Sequence, residues 1–316
     1  MQQLRVLTLN IWAHNGPWPA RAAAIRAGLI AEQADVVALQ EVLGFPGATT
    51  QLDELCALLP PELYPHRAYG PACVLPDQRT FGNALLSRFP LINQHTISLP
   101  NPRRREPRAL LCGLVALPTA QLPVFTTHLD WELDGSPARC QQVRFIAEQI
   151  DQEVAAARRR PGADVLPPVL LGDLNAEPDS DELRFLSGHH GLASADDPAP
   201  RGVYFNDCYL RALTPEEPCQ QDTLAAPGAT FARRNPFAAR AHEPDRRIDY
   251  IFAGLPDSRG RAAPLRAWRC FCAPYKARSS SGSPPPDSRL VPPSASAEAG
   301  GVFASDHFGV AADLAV

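Results

Sequence analysis

The most constraining feature of this sequence is a series of short apolar runs that alternate with amphipathic segments and end in polar side chains. The runs 4–9, 36–39, 124–127 and 169–172 have the composition and length of β-strands. The polar residues that follow them are Asn10, Glu41, His128 and Asp173. Because open α/β sheets place their functional sites beyond strand ends, we expect these side chains to converge.

The remaining pattern predicts an α/β fold. Helical spacing of apolar residues occurs at 20–33, 51–59 and 136–160. Further strands are expected in an antiparallel stretch and near the C-terminus, at 83–86, 92–99, 109–117, 122–127, 248–252, 267–271 and 309–314. This mixture predicts two mixed β-sheets that pack face to face, with helices on the outside.

The chain is predicted to form a single domain over residues 1–316. Residues 277–301 are rich in Ser, Pro, Ala and Gly and are interpreted as a mobile insertion, because a strand pattern resumes after them. No apolar run approaches the ~20 residues of a membrane-spanning helix. The absence of a signal sequence, and eight cysteines without a CxxC pair, predict reduced thiols and a cytoplasmic location.

The charge balance argues against a protein that binds nucleic acid by bulk attraction. The net charge is −4, and the pI is about 6.1. Lys276 is the only lysine, so the basic residues are almost all arginines, whose planar donor groups suit phosphate. Arginines 103–105 and Arg108 precede the predicted strand at 109–117; we expect solvated loop positions, with phosphate contact as the alternative.

The polar residues form a donor set suited to phosphate chemistry. Asp173 and Asn175 lie two positions apart, so an extended chain points both to one side, where they can align a water. Glu41 is a hard oxygen donor suited to Mg²⁺ or Mn²⁺. His307 can pair with a carboxylate such as Asp249, which favours imidazolium. A metal, an imidazolium and amide donors together describe a site for an anionic, pentacoordinate centre.

Single residues of this set also fit structural roles. Asp173 alone fits a cap of a helix that starts near Asp181, and Asp249 alone fits a partner of Arg246 or Arg247. The joint occurrence of the whole set, in this order, favours a catalytic site.

These ordered motifs resemble those of the endonuclease/exonuclease/phosphatase superfamily of DNase I-like enzymes. The matching segments are 7–10 (LTLN), 39–42 (LQEV), 82–88 (GNALLSR), 127–129 (THL), 172–175 (GDLN), 247–252 (RIDYIF) and 305–310 (SDHFGV). The resemblance implies a four-layer α/β sandwich of two mixed β-sheets flanked by helices. It also implies a metal-dependent hydrolase of phosphate esters, most of all a phosphodiesterase, with Mg²⁺ or Mn²⁺ as cofactor.

The resemblance implies a metal site formed by three of these residues. Glu41 would be the principal metal ligand, with Asn10 beside it, and Asp306 would be a second ligand of metal or water. Several nuclease members have an aspartate two residues after the first-strand asparagine, where this chain has Trp12. The metal would therefore have fewer protein ligands here and more water.

The resemblance also implies catalytic roles for the other positions. Asp173 would orient or deprotonate the attacking water. Asn175 and His128 would hold non-bridging phosphate oxygens. His307, oriented by Asp249, would stabilise the transition state.

The sequence leaves the substrate open among a small phosphoester, a lipid head group and nucleic acid. The segment 228–250 is somewhat similar to sphingomyelinase-type members, and the acidic chain favours that alternative over a nuclease acting on DNA or RNA. The lack of lysines weakens an inositol-phosphate monoesterase. A non-catalytic binding protein that kept the fold is the alternative from another class, but the retained Glu41, Asp173 and His307 favour an enzyme, expected to be a monomer.

Overall fold

The computed structural model describes residues 3–47, 49–103, 105–192, 204–212, 214–215, 227–276 and 301–316. All of the predicted insertion except Gly301 lies outside these residues. The strands are β1 (Gln3–Asn10), β2 (Val36–Gly44), β3 (His66–Val74), β4 (Thr80–Ser87), β5 (Leu91–Ser98), β6 (Ala109–Ala116), β7 (Gln121–His128), β8 (Val169–Asp173), β9 (Phe205–Asp207), β10 (Thr214–Pro215), β11 (Asp249–Gly254), β12 (Pro264–Cys270) and β13 (Gly309–Ala315). The helices are α1 (Trp18–Glu32), α2 (Gln51–Leu58), α3 (Ser136–Arg158), α4 (Asp181–Leu186) and α5 (Cys208–Arg211), with a 3₁₀ turn at Ala238–Ala241.

The described strands form two mixed sheets. The first has the order β10-β12-β13-β1-β2-β4-β3, and the second has the order β5-β6-β7-β8-β11-β9. The stretch predicted as one antiparallel group is divided between them. β4 pairs antiparallel with β2 and β3, whereas β5, β6 and β7 pair antiparallel with one another in the second sheet.

Three apolar clusters fill the spaces between the layers of the fold. Strand β1 contributes to two of these clusters, because successive side chains of a strand point to opposite faces of its sheet. Val6 belongs to the core between the two sheets, whereas Leu7 and Leu9 pack in the cluster that holds α1 and α2. A third cluster joins the outer face of the second sheet to α3 and α4. The predicted four-layer α/β sandwich is confirmed.

Strand register explains why residues distant in the chain meet at one edge of the sandwich. His128 pairs with Asp173 across the parallel strands β7 and β8, and Asp173 pairs with Asp249 across the antiparallel strands β8 and β11. In the first sheet, Asn10 pairs with the residue that precedes Glu41. The ends of the parallel strands and the start of β11 therefore form one polar edge.

Gly172 allows β7 and β8 to approach each other at this edge. Its φ is 149°, and an added Cβ would lie 2.0 Å from the carbonyl oxygen of Thr127. We expect Gly172→Ala to lower the free energy of unfolding by about 3 kcal/mol, because no side-chain rotation relieves a clash with backbone. Urea denaturation measures this change.

The matched control for this substitution is Gly162→Ala. Gly162 also has a positive φ, 71°, but no atom lies within 4 Å of an added Cβ. Only the backbone strain of about 1–2 kcal/mol should appear there. A loss at Gly172 no larger than the loss at Gly162 would contradict the steric argument.

The sequence predicts reduced thiols and no membrane-spanning helix. Cys272 is disulfide-bonded, so the expectation of reduced thiols is wrong at this position. Free thiols are found at Cys56, Cys73, Cys112, Cys140, Cys208 and Cys270. Among the described residues, no helix combines the length and apolar character that crossing a membrane requires.

Candidate active site

A cleft of about 740 Å³ opens at the polar edge of the sandwich. Its lining includes six of the predicted site residues, namely Glu41, His128, Asp173, Asn175, Asp306 and His307. Asn10 and Asp249 are each only 1% exposed. They lie behind the lining and hydrogen-bond to Asp173 and to His307, respectively. All eight predicted site residues therefore lie together.

Asp173 lies at the centre of this group. Its Oδ2 accepts a hydrogen bond from Asn10 Nδ2 at 3.0 Å and lies 3.6 Å from His128 Nε2 and 3.8 Å from His307 Nε2. Its Oδ1 accepts from the backbone N–H of Asn175 at 2.9 Å. Burial acts to raise the pKa of Asp173, but the charged His307 and the amide donors of Asn10 and Asn175 outweigh burial and bring the pKa below its ordinary value. Asp173 is therefore an ionised carboxylate that can accept a proton.

His307 and Asp249 form the expected carboxylate–imidazole pair. Nδ1 of His307 donates to Oδ2 of Asp249 at 2.8 Å, and Nε2 points into the cleft, 4.0 Å from Asp306 Oδ1. Burial alone would lower the pKa of the imidazole. Three surrounding carboxylates outweigh burial and raise the pKa well above its ordinary value, so the ring is an imidazolium with Nε2–H available as a donor.

His128 differs from His307 in charge. Burial and the nearby Arg108 lower the pKa of His128 to about 3, so this imidazole is neutral. Its Nδ1 is buried and has no hydrogen-bond partner among the described residues. A neutral ring beside Asp173 can donate one hydrogen bond to a bound oxygen without adding charge to the cleft.

Glu41 and Asp306 are two carboxylates of the cleft that could hold a divalent cation. A β-bulge between Leu39 and Val42 interrupts the pairing of β2 with β4, and Glu41 has a φ of 60° there. Burial and the charge of Asp306 raise the pKa of Glu41 to about 7, and burial raises the pKa of Asp306. A half-buried carboxylate and a buried one that repel each other in one cleft fit a hard cation with oxygen ligands.

Asn10 makes contacts that differ from those expected of a direct metal ligand. Its Oδ1 accepts from the backbone N–H of Trp12 at 2.9 Å. Its Nδ2 donates to Glu41 Oε1 and to Asp173 Oδ2, each at 3.0 Å. These contacts favour a residue that bridges the two carboxylates and thereby joins the two sheets.

Asp173, Asp249 and His307 form another group with metal-type donors. Their candidate ligand atoms lie within 4.8 Å of one another. Nδ1 of His307, however, donates to Asp249, so this nitrogen has no lone pair for a metal. This group therefore fits a chain of hydrogen bonds and charges better than a metal centre.

The structural alternatives for two site residues are not realised. Neither arginine considered for Asp249 pairs with it, because each has another carboxylate partner. The helix near Asp181 is α4, and its N-cap is Ser180. Asp173 is therefore not a helix cap.

Arg21 is a structural residue of the site that the sequence analysis did not identify. Its fully buried guanidinium donates to backbone carbonyl oxygens of Ile11, Trp12, Ala13, Asn15 and Ala304. It thereby fastens the loop after β1 to the segment that carries Asp306 and His307. The available signal was its position four residues before Ile25, on the apolar face of the helix.

The chain is similar to a known family and to several solved structures. The profile of the Endonuclease/Exonuclease/phosphatase family matches residues 7–307. The crystal structure of an endonuclease/exonuclease/phosphatase from Beutenbergia cavernae is similar, with 24% identity and a TM-score of 0.61 over 100% of this chain and 72% of that one. A truncated TDP2 from Caenorhabditis elegans has 17% identity and a TM-score of 0.63 over 99% of this chain and 98% of that one.

One curated relative is similar in sequence. Sphingomyelin phosphodiesterase 5 of Mus musculus is 30% identical over 181 residues, which cover 54% of this chain. The match spans only 37% of the mouse protein. The profile match covers nearly the whole chain, and the chain therefore belongs to the endonuclease/exonuclease/phosphatase family.

Proposed function

We propose that this protein is a Mg²⁺-dependent phosphodiesterase in which Asp173 activates a water for in-line attack on phosphorus. The observation that carries the proposal is the ionised, 1% exposed carboxylate of Asp173 at the floor of the cleft. It is surrounded by hydrogen-bond donors and by an imidazolium. An ionised carboxylate held in this way is suited to orient a water and accept its proton.

The imidazolium of His307 would oppose the charge that develops on the phosphoryl oxygens. Its Nε2–H is directed toward the same region of the cleft as Oδ2 of Asp173. Asp249 fixes the ring through Nδ1 and keeps it protonated. A fixed cationic donor needs no reorganisation during the reaction, which is the main source of electrostatic catalysis.

Asn175 and His128 would hold non-bridging phosphate oxygens. Asn175 uses one of its amide hydrogens on the carbonyl oxygen of Leu129 at 3.1 Å, which fixes the side chain and leaves the other hydrogen for a ligand. The neutral ring of His128 offers a second donor beside Asp173. Two neutral donors can orient a phosphodiester without binding its charge tightly in the ground state.

Glu41 and Asp306 would hold the Mg²⁺, while Asn10 links Glu41 to Asp173 by hydrogen bonds. When bound, the cation would polarise a phosphoryl oxygen and offset negative charge. Glu41 is oriented for this role by the bulge in β2. Trp12 forms part of the cleft wall beside Asn10 and offers no carboxylate.

The charge of the cleft favours a substrate with one phosphodiester group. Among the described lining residues, carboxylates outnumber guanidinium groups: Glu41, Glu106, Asp173, Glu243 and Asp306 against Arg79, Arg108 and Arg246. A groove that follows a polynucleotide backbone is expected to be basic. Trp131, which is 54% exposed, also lines the cleft, and the neighbouring Leu133 is 64% exposed. A lipid head group or a small diester fits this lining better than DNA or RNA.

A substrate panel with controlled metal tests the proposal. We expect hydrolysis of bis-p-nitrophenyl phosphate and of sphingomyelin with Mg²⁺, with plasmid DNA and single-stranded RNA left intact. Chelation by EDTA should lower the rate by about 10³-fold, and added Mg²⁺ should restore it, because the cation offsets several kcal/mol of developing charge. Cleavage of the nucleic acids would support a nuclease instead, and hydrolysis that survives EDTA would contradict metal dependence.

A further inference from the structure

Arg108 is a buried arginine whose donors are not used within the protein. It precedes β6, lines the cleft and is only 3% exposed, so the expected solvated position is wrong. Its Nε and Nη1 are buried, and neither makes a hydrogen bond with a described residue. Nη1 lies 3.2 Å from Oε1 of Glu106, but the N–H of Nη1 is not aligned with that oxygen. Buried guanidinium donors in this state are rare in native proteins.

The surroundings of Arg108 connect it to the reaction centre. Its guanidinium lies 6.0 Å from the ring centroid of Phe81, and Phe81 in turn lies 6.3 Å from the ring of His128. The charge of Arg108 is felt at His128 and at Glu41, where it favours the neutral imidazole and the ionised carboxylate. Arg108 is therefore close enough to act on a group bound beside Asp173.

The other arginines of the cleft lining are used within the protein. Arg79 donates through Nε to Oδ2 of Asp77 at 2.7 Å. Arg246 donates through Nη2 to Oε2 of Glu243. Only in Arg108, among the described lining arginines, are both Nε and Nη1 buried without a hydrogen bond.

We propose that Arg108 binds the substrate through an anionic phosphate oxygen, which accepts hydrogen bonds from its Nε and a terminal nitrogen. This inference rests on the proposed phosphodiesterase function and adds a binding residue to it. The planar guanidinium presents two parallel N–H groups, the geometry that suits two oxygens of one phosphate. Phe81 supports one side of the guanidinium, and Glu106 holds it in the absence of substrate.

Kinetics of Arg108 variants on bis-p-nitrophenyl phosphate test the inference. We expect Arg108→Met to lower kcat/KM by about 10²-fold, in the range typical of a lost charge-assisted contact to a reacting phosphate. Competitive inhibition by inorganic phosphate should weaken in the same variant. Arg108→Lys keeps the charge but loses the two parallel N–H groups. Its kcat/KM should therefore lie between that of the unsubstituted protein and that of Arg108→Met.

Two further measurements separate substrate binding from structural support. Methylguanidinium added to Arg108→Ala should raise its kcat/KM by about tenfold, since it can occupy the vacated position; a purely structural role predicts no rescue. Arg261→Met removes an arginine paired with Asp164 and Asp257 outside the cleft, and it should leave kcat/KM unchanged.

The outcomes distinguish this inference from the proposed function. Unchanged kcat/KM and unchanged phosphate inhibition in Arg108→Met would overturn the role of Arg108, even if Asp173→Asn is inactive. A loss in Arg108→Met that methylguanidinium does not rescue in Arg108→Ala, with phosphate inhibition unchanged, would also overturn it. Full activity of Asp173→Asn would instead reject the proposed mechanism.

Discussion

Replacement of Asp173 by asparagine is expected to lower kcat for phosphodiester hydrolysis by at least ~10³-fold, because the amide cannot accept the proton of the attacking water. The substitution retains the shape of the side chain. Its carbonyl oxygen can still accept from Asn10 or from the backbone N–H of Asn175. The fold should therefore persist, and circular dichroism with urea denaturation checks that it does.

The matched control for this variant is Asp207→Asn. Asp207 is a carboxylate of the same sheet, 8% exposed and paired with Arg247 at 2.8 Å, but it does not line the cleft. Its substitution removes a buried charge and should affect stability rather than kcat. A comparable loss of kcat in both variants would mean that the effect is not specific to Asp173.

The Mg²⁺ dependence of the Asp173 variant separates proton transfer from metal binding. If Asp173 accepts the proton, the Mg²⁺ concentration for half-maximal activity should stay near that of the unsubstituted protein while kcat collapses. If kcat instead recovers at high Mg²⁺, Asp173 is a metal ligand. In that case the metal is held by Asp173, Asp249 and His307, whose candidate ligand atoms lie close enough together for one ion. Glu41 and Asp306 would then not be its main ligands.

Several residues of the site could be predicted because the end of a strand marks them. Asn10, His128 and Asp173 are the last residues of β1, β7 and β8, so the apolar runs before them define their positions. Asp249 begins β11 but lies inside the predicted strand 248–252, so it was identified as a carboxylate partner for His307 and not by a strand end. The four-layer arrangement was also accessible, because alternating and continuous apolar runs distinguish strands from the helices that cover them.

The mutual positions of these residues could not be predicted. Asp249 faces Asp173 because β11 pairs antiparallel with β8 at that register, and register depends on the whole inter-sheet core. The bulge that turns Glu41 into the cleft has no signature in the segment LQEV. β3 was missed because Gly70 and Pro71 interrupt a largely half-exposed pattern that resembles a loop.

Buried arginines were the other limit of sequence reasoning. Arg21 and Arg108 are charged residues that composition assigns to solvent, yet both lie in the interior or at the wall of the cleft. The partners of Arg21 are backbone carbonyl oxygens, including that of the distant Ala304, and no side-chain pattern reveals such acceptors. The acceptors of Arg21 can therefore be identified only in the folded chain.

Replacement of His307 by glutamine is expected to lower kcat by about 10²–10³-fold, because the cationic donor to the transition state is lost. Asp249→Asn should cause a loss of similar size while leaving His307 in place. The reason is that an amide at this position no longer stabilises the imidazolium through Nδ1, which the carboxylate contacts at 2.8 Å. Steady-state kinetics at saturating Mg²⁺ measures both effects.

The double variant tests whether Asp249 acts through His307. In that case His307→Gln combined with Asp249→Asn should be no slower than His307→Gln alone, because the second substitution removes support from a ring that is already absent. All three variants keep the other neighbours of the pair. The ring of Phe231 lies 5.2 Å from the imidazole, and Thr230 accepts a hydrogen bond from the backbone N–H of Asp249. Multiplied losses would instead show that Asp249 contributes independently, as a ligand or a base, and the hydrogen-bonded pair would then be structural rather than catalytic.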